Sequence, residues 1–423
     1  AVGFGTPIQN DAKAYDGKWV VLDTEDYQVT HEARDSTKWL TDMKFSPNGD
    51  FFAVGSTDNK IYVYSVLNGF ALNAAITQHN AVILSVDFSD DSAWLQSNCA
   101  GMELNYFEAD TGMFIPAASR LRDVVWSTQT CSMGWNVQGI WPVARDGTEI
   151  TAVDCNLFRG NDGTIIASGD KFGRLNLNRH PCTSSFSFSK KYKTSSCHIT
   201  RIRFVAGDSY LVSLTGKDKA IFQWAHHRDR EGDVAWDVVD RGGAIDEDDE
   251  DVLGFFCLSG KEDVVDLNEF KSIIGTRPWV AAMIAPTVIP MVVTDRPPFR
   301  LEKSHVFGVQ AQTSRLSVRF NGNGDVVYPV SRYVSVYNKK TNSQIYYEGH
   351  TTELSCVGVS PDGKFAGSAD RSNRPNIHIF DANTCEHIIV LPLLHRRGVV
   401  SIQFSGDNKM MVSVGQDQDH TIA

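Results

Sequence analysis

Apolar and polar positions alternate along most of the chain in runs of five or six residues, the period of half-buried β-strands. The runs are separated by short polar turns rich in Gly, Asn, Asp, Ser and Pro. One unit recurs: an apolar strand, a polar turn, a second apolar strand ending in small residues, a short turn and a third strand. Thr41-Asp-Met-Lys-Phe-Ser-Pro-Asn-Gly49 aligns with Leu84-Ser-Val-Asp-Phe-Ser-Asp-Asp-Ser92, Cys356-Val-Gly-Val-Ser-Pro-Asp-Gly363 and Ser401-Ile-Gln-Phe-Ser-Gly-Asp-Asn408. The equivalent positions are Phe45, Phe88, Trp126, Phe204, Phe320, Val359 and Phe404, separated by 43, 38, 78, 116, 39 and 45 residues. The 78-residue step predicts a further copy near Val153 to Ser168. Gly322-Asn-Gly324 reads as a hairpin turn.

A period of about 40–45 residues with alternating strands is that of four-stranded WD40-type propeller blades, so the fold class is all-β. Such blades carry a buried hydrogen-bond chain of His, Ser or Thr, Asp and Trp. His198, Ser213, Asp218 and Trp224 supply all four members. Ser56 and Asp58 supply part of the set without a His, and His350 and Ser368 supply part without a Trp. His198, Ser213 and Asp218 also contain the elements of a nucleophilic triad. Their order and the fragments in other blades favour the structural reading, in which a closed chain satisfies groups that are costly to bury unpaired. No Gly-rich phosphate loop, H-E-x-x-H or G-x-S-x-G is present. The expectation is a chain that is not an enzyme, with no cofactor and no metal.

Three parts follow. Residues 1–227 hold about five blade units, 228–303 do not fit the repeat, and 304–423 resume it with about three. Neither blade series has a clean start or stop. The reading is therefore blades from two propellers joined by a linker, each ring incomplete here and completed by chain outside this segment. The opening Ala-Val-Gly-Phe-Gly, without Met, fits a piece of a longer polypeptide.

Composition narrows the partners. Among 423 residues, 40 Lys and Arg against 51 Asp and Glu give a formal charge of −11. That balance argues against a nucleic-acid partner, which needs a basic face. No apolar run of about 18 residues exists, and Val280 to Val293 is broken by Pro286 and Pro290, so a membrane partner is not expected. Eight dispersed cysteines without a C-x-x-C read as reduced thiols in a cytoplasmic protein. The acidic run Asp246–Asp251 reads as solvated linker. A calcium loop ending at Glu269 fails, because Leu258 and Gly260 would occupy ligand positions; Glu262 to Ile274 reads as an amphipathic helix. Lys190, Lys191, Lys193, Arg396 and Arg397 are the basic clusters available to an acidic partner.

The residues also resemble one family. Ala1-Val-Gly-Phe-Gly5 with Lys18-Trp-Val-Val-Leu-Asp23, and Phe52-Ala-Val-Gly-Ser-Thr-Asp-Asn-Lys-Ile-Tyr-Val-Tyr64, are similar to the echinoderm microtubule-associated protein-like family. The sharpest match is Asp123-Val-Val-Trp-Ser-Thr-Gln-Thr-Cys131 with Gly134 and Gly139-Ile-Trp-Pro142, an element that generic WD40 repeats lack. Asp146-Gly-Thr-Glu-Ile150, Gly216-Lys-Asp218 and Gln223-Trp224 continue it. Residues 1–227 thus resemble the C-terminal propeller of that family's tandem unit. Arg277-Pro-Trp279, Ile284-Ala-Pro-Thr287, Pro297-Pro298, Leu301 and His305-Val-Phe-Gly308 resemble the lead-in to another unit, although the family's Gly-Tyr-Arg-Gly reads Gly308-Val-Gln-Ala311 here. Gly349-His350, Arg374-Pro375 and Asp419-His420 fit the next propeller's first blades. The resemblance implies a structural or scaffold protein that binds tubulin or microtubules, cytoskeletal and in some members on the ciliary axoneme. A general WD40 adaptor without tubulin contact is the alternative.

Overall fold

A computed structural model describes residues 1–3, 16–141, 150–156, 164–185, 187–205, 207–229, 279–290, 292, 295–309, 318–392, 394–418 and 421–423. The expected helix over 262–274, the acidic run 246–251 and the rejected calcium loop lie outside the described residues. So do Phe4 and Gly5, Pro142, 146–149, Arg277 and Pro278, Gln310 and Ala311, and Asp419 and His420 of the family motifs.

The described residues form eight sheets, each a meander with its strands in chain order. The first holds Val2–Gly3, Lys18–Leu22 and Val29–Arg34. The second holds Leu40–Phe45, Phe51–Ser56, Ile61–Ser65 and Ala71–Ile76, and the third Ile83–Phe88, Trp94–Cys99 and Leu104–Glu108. The fourth, Ile150–Cys155, Thr164–Asp170, Arg174–His180 and Ser189–Lys193, contains the copy expected near Val153 to Ser168. The fifth holds Ile199–Phe204, Tyr210–Thr215, Ile221–Arg228 and Phe299–Phe307. The sixth runs Arg319–Phe320, Val326–Val330, Tyr333–Asn338 and Ser343–Tyr347. The seventh runs Leu354–Val359, Phe365–Asp370, Ile377–Asp381 and His387–Leu391, and the eighth Val399–Phe404 and Met411–Gly415.

The repeat's small and polar residues build its turns. At the end of a first strand, Ser46, Ser89, Ser360 and Ser405 each accept the backbone N–H five residues on, from Phe51, Trp94, Phe365 and Met410, at 2.9–3.0 Å. Their carbonyls accept the N–H three residues on, from Gly49, Ser92, Gly363 and Asn408. That third residue has positive φ in every copy, 80° at Gly49 and 69° at Gly363, which favours Gly or Asn. Gly324 repeats the arrangement at φ 80°.

Burial follows strand position. In the second sheet, Phe52–Ser56 and Ile61–Ser65 are buried, whereas the outer strand Ala71–Ile76 is largely exposed. This explains why the second strand of this sheet, Phe51–Ser56, is apolar or small throughout. Trp19, Phe52, Tyr62 and Tyr64 form one core cluster and Ile83, Val86, Phe88, Leu95 and Phe107 part of another. Each such side chain contributes on the order of 1.5–3 kcal/mol when fully buried.

The sequence reading differs from the structure at two points. Trp126 is not in the first strand of a blade; it makes only an isolated bridge to Ser89. The chain around it, broken by Pro116, Gly134 and Gly139, forms 3-10 turns at Ala118–Leu121 and Trp135–Ile140. Second, the fifth sheet draws its fourth strand from across the end of the expected 228–303 linker: Phe299–Phe307 pairs antiparallel with Ile221–Arg228 along eight registered positions.

The chain divides into two compact units. One comprises Ala1–Ser168, Leu177–Lys190 and Val238–Pro297, the other Gly169–Asn176, Lys191–Asp237 and Pro298–Ala423, so the division passes through the fourth sheet. The first is built on the clusters named above and on Met133, Val137, Trp141, Val153, Ile166 and Trp279. The second is centred on Val327, Val334, Tyr347, Leu354, Val357 and Phe380, and on Ile377, Val399 and Ile402.

Candidate protein-interaction site

The element Asp123–Trp141 of the first unit is held by a buried ion pair. Lys44 and Asp87 occupy the same register in consecutive repeats, each just before the aromatic Phe45 or Phe88. Lys44 Nζ donates to Asp87 Oδ1, and the Asp87 side chain is fully buried. The remaining acceptor capacity of Asp87 is filled from the element: Thr128 Oγ1 at 2.5 Å, Thr130 N at 2.9 Å, Thr130 Oγ1 at 2.8 Å and Cys131 N at 2.8 Å. Lys44 Nζ also donates to the hydroxyls of Thr128 and Thr130. Burial pushes the Asp87 carboxyl up, but the Lys44 ammonium and these hydrogen bonds outweigh it and hold the group below its ordinary range.

The far end of the element is closed by packing. Gly139 lies so close to Ser184 that a Cβ would stand 2.5 Å from its carbonyl oxygen. Its N–H donates to Cys182 O at 2.8 Å, and Cys182 N donates to Asn136 O at 2.8 Å. Trp141 is buried, donates from Nε1 to Ser132 O at 2.8 Å, and packs on Trp279 with ring centroids 5.9 Å apart. The Gly-Ile-Trp signature is thus a locking device. Asp123 fastens a second segment: Thr287 N donates to Oδ1 at 2.7 Å and Thr287 Oγ1 to Oδ2 at 2.6 Å. Between the element and this segment lies a cavity of about 720 Å³, lined by Tyr106, Trp126, Trp135, Asn136, Thr164 and Val288 among others. Tyr106 and Trp126 stack with centroids 6.0 Å apart, and Val125 and Val288 are 51% and 82% exposed. A rigid concave wall with exposed apolar residues suits binding to another molecule.

The four tetrad residues are brought together only in part. Trp224 Nε1 donates to Ser213 Oγ at 3.0 Å, and both residues are buried. Asp218 is buried and accepts the Cys197 thiol at 2.9 Å. His198 is exposed, and its ring fills the space over Gly216, where a Cβ would lie 2.3 Å from Cε1. Among the described residues no hydrogen bond joins His198 to Ser213.

Spacing explains this. Elsewhere His79 Nε2 meets Ser97 Oγ at 2.6 Å, His350 meets Ser368 at 2.7 Å and His395 meets Ser413 at 2.7 Å, each pair 18 residues apart. Position 195, 18 before Ser213, is Ser195. In the second sheet Ser36 replaces the histidine, 2.9 Å from Ser56 and 2.8 Å from Asp58. His79, Ser97, His395, Ser413, Lys44 and Asp87 were missed by the sequence reading. The constant interval of 18 and the opposite charges in one register are the signals that find them. Burial drives the His79 and His350 rings down from the ordinary histidine value, against the pull of Glu103 and Asp370. His378, whose ring lies 4.0 Å from that of His350 and whose Nδ1 is 2.8 Å from Tyr347 Oη, is pushed down to about 4 by burial and then by His350.

Of the basic candidates, Lys191, Lys193, Arg396 and Arg397 are exposed. Lys190 is not a surface cation: its strand position points inward and the residue is 2% exposed. The seven described cysteines are free thiols.

Residues 1–226 match the family described as echinoderm microtubule-associated protein second β-propeller, and 341–374 match the WD40 domain, G-β repeat. Echinoderm microtubule-associated protein-like 2 of Rattus norvegicus is 36% identical over 211 residues, 49% of this chain and 32% of that protein. Echinoderm microtubule-associated protein-like 1 of Mus musculus is 36% identical over 211 residues, 49% of this chain and 25% of that protein. The matched region spans a third or less of these relatives' length. A solved structure of the Myceliophteria thermophila Cps50 (Swd1) β-propeller domain is 12% identical with a TM-score of 0.35, covering 84% of this chain and 88% of that one, too distant to carry an argument. With the match spanning more than half of the chain and its most specific segment forming the anchored element of the site, the protein belongs to the echinoderm microtubule-associated protein family.

Proposed function

We propose that this chain is part of a microtubule-associated scaffold that works through protein–protein surfaces and has no chemistry of its own. The observation that carries the reading is the match of residues 1–226 to the family's second propeller, with relatives named for microtubule association. The buried polar chains agree with it. Ser97 and Ser413 are buried, with their hydroxyls held by His79 and His395, whereas a nucleophile needs an exposed, activated oxygen. As part of the same proposal, 1–227 and 304–423 belong to consecutive propellers about the segment 228–303. Several linked rims convert weak contacts to avidity. Lys191, Lys193, Arg396 and Arg397 supply local positive charge on a chain whose formal charge is −11.

The test is co-sedimentation of the protein with taxane-stabilised microtubules across a salt series. The expected result is saturable pelleting that weakens with salt and falls on reversing those four charges. No pelleting at low salt would overturn tubulin binding and favour the WD40 adaptor, a reading that the acidic net charge supports. Axonemal location is the finer part of the proposal. Tagged protein that stays diffuse in ciliated cells, absent from cilia and indifferent to microtubule depolymerisation, would refute it.

A further inference from the structure

We propose that His79, Cys99 and Glu103 form a zinc-binding site in the third sheet. Their donor atoms, His79 Nδ1, Cys99 Sγ and a Glu103 carboxylate oxygen, all lie within 4.8 Å of one another. Two separations are tighter: Nδ1 to Oε2 is 3.3 Å, and Sγ to Oε2 is 3.3 Å. Tetrahedral zinc, with bonds of about 2.0–2.1 Å to N and O and about 2.3 Å to S, has ligand edges of roughly 3.3–3.6 Å. Two of the three donor separations therefore match zinc edges, and the third lies within 4.8 Å, a gap that a small side-chain rotation closes.

The neighbours orient each donor. Ser97 Oγ lies 2.6 Å from His79 Nε2; Asn105 Nδ2, 3.3 Å from Nδ1, donates to the lone pair that an ion would take and is displaced on binding. With the proton on Nε2 donated to Ser97, the Nδ1 lone pair faces the thiol and carboxylate, the outer-shell arrangement that metal-bound histidines use. Asn80 Nδ2 donates to Glu103 Oε1 at 2.7 Å and Asn80 N to Oε2 at 3.2 Å, fixing the carboxylate plane. Cys99 is fully buried and His79 nearly so, whereas the Glu103 side chain is 27% exposed, which gives an ion its way in and leaves the fourth position to water.

The same slot elsewhere in the chain shows what is special here. Two residues after the buried serine, the second, fourth and seventh sheets carry Asp58, Asp170 and Asp370, following Ser56, Ser168 and Ser368. The third sheet has Cys99 after Ser97, and its carboxylate comes instead from Glu103, immediately before the following strand Leu104–Glu108. In those three sheets this slot supplies a carboxylate oxygen and no sulfur. The third sheet offers sulfur, nitrogen and oxygen, a set suited to zinc over calcium or magnesium. Binding replaces the thiol proton, which leaves to solvent, and the thiolate and carboxylate together balance the two positive charges. Affinity consequently falls as pH is lowered.

The 423-residue chain is titrated with Zn²⁺ against a chromophoric chelator, and with Co²⁺ as a spectroscopic substitute. The expected results are one equivalent of metal, a raised melting temperature with zinc, and a thiolate-to-cobalt charge-transfer band that disappears in Cys99→Ser and persists in Cys197→Ser. Absence of the band, or its survival in Cys99→Ser, would overturn the site. If Cys99→Ser does not fold, Glu103→Gln keeps the thiol and should weaken zinc at least about tenfold; unchanged affinity in that variant overturns the proposal equally.

Discussion

In the third sheet, His79 stands 18 residues before Ser97 and reaches its hydroxyl at 2.6 Å. In the fifth, His198 stands 15 residues before Ser213 (213 − 198) and lies exposed over Gly216, while Ser213 holds only the indole of Trp224. Both blades contain a histidine followed by the serine of the second strand. What separates them is three residues of loop, which decide whether the imidazole arrives inside the sheet or outside it. A polar chain is worth building only when its members are closed on each other, because a buried group left unpaired costs about 1–3 kcal/mol. The third sheet closes its histidine on Ser97 and Glu103. The fifth sheet substitutes a thiol contact, Cys197 to Asp218, and leaves its histidine in solvent.

The largest effect that sharpens this contrast is expected at the ion pair. Asp87→Ala strands a largely buried ammonium and four donors of the 128–131 segment, so denaturant unfolding should show a loss of about 3–5 kcal/mol. Lys44→Met should be comparably harmful, and the double variant Lys44→Met with Asp87→Leu less so than the sum. Near-additive losses would show that the two residues do not act as a pair.

Next is His79→Ala, expected to cost about 1–3 kcal/mol by leaving Ser97 and Glu103 without their partner. A thermal melt unchanged from the parent would erase the distinction between the two blades.

Acid should separate them as well. The folded His79 ring has a pKa below the unfolded value, so below pH ~6.5 the unfolded chain binds the extra proton and stability falls with pH. His350 and His378 act in the same direction, and His378, at about 4, loses its contribution between pH ~6.5 and 4. Hydrogen exchange followed from pH 7 to 5 should therefore show protection lost in Ile83–Phe88 and Trp94–Cys99 before Ile199–Phe204 and Tyr210–Thr215. Simultaneous loss would mean that histidine burial does not set the order.

The smallest effect is expected at His198→Ala, within about 0.5 kcal/mol, as for an exposed side chain outside any network. A loss of 2 kcal/mol or more by denaturant titration would place His198 inside a closed chain after all.

Local chemistry determined much of this in the sequence itself. The repeat follows from strand alternation and from serines that cap turns at Ser46, Ser89, Ser360 and Ser405, all of it encoded within five or six residues. Blade identity and the family element at 123–141 were therefore legible. Tertiary structure alone decided which distant groups met. Asp87 finds Thr128–Cys131 across about 40 residues, Asp123 holds Thr287 across 164, and Phe299–Phe307 joins Ile221–Arg228 across an intervening segment. It also turned Lys190 inward and His198 outward, although sequence type suggests the reverse for each. The physical reason is range. Strand propensity and turn geometry act between neighbours, whereas pairing of buried charges and closure of hydrogen-bond chains depend on loop lengths and packing that no short window of residues contains.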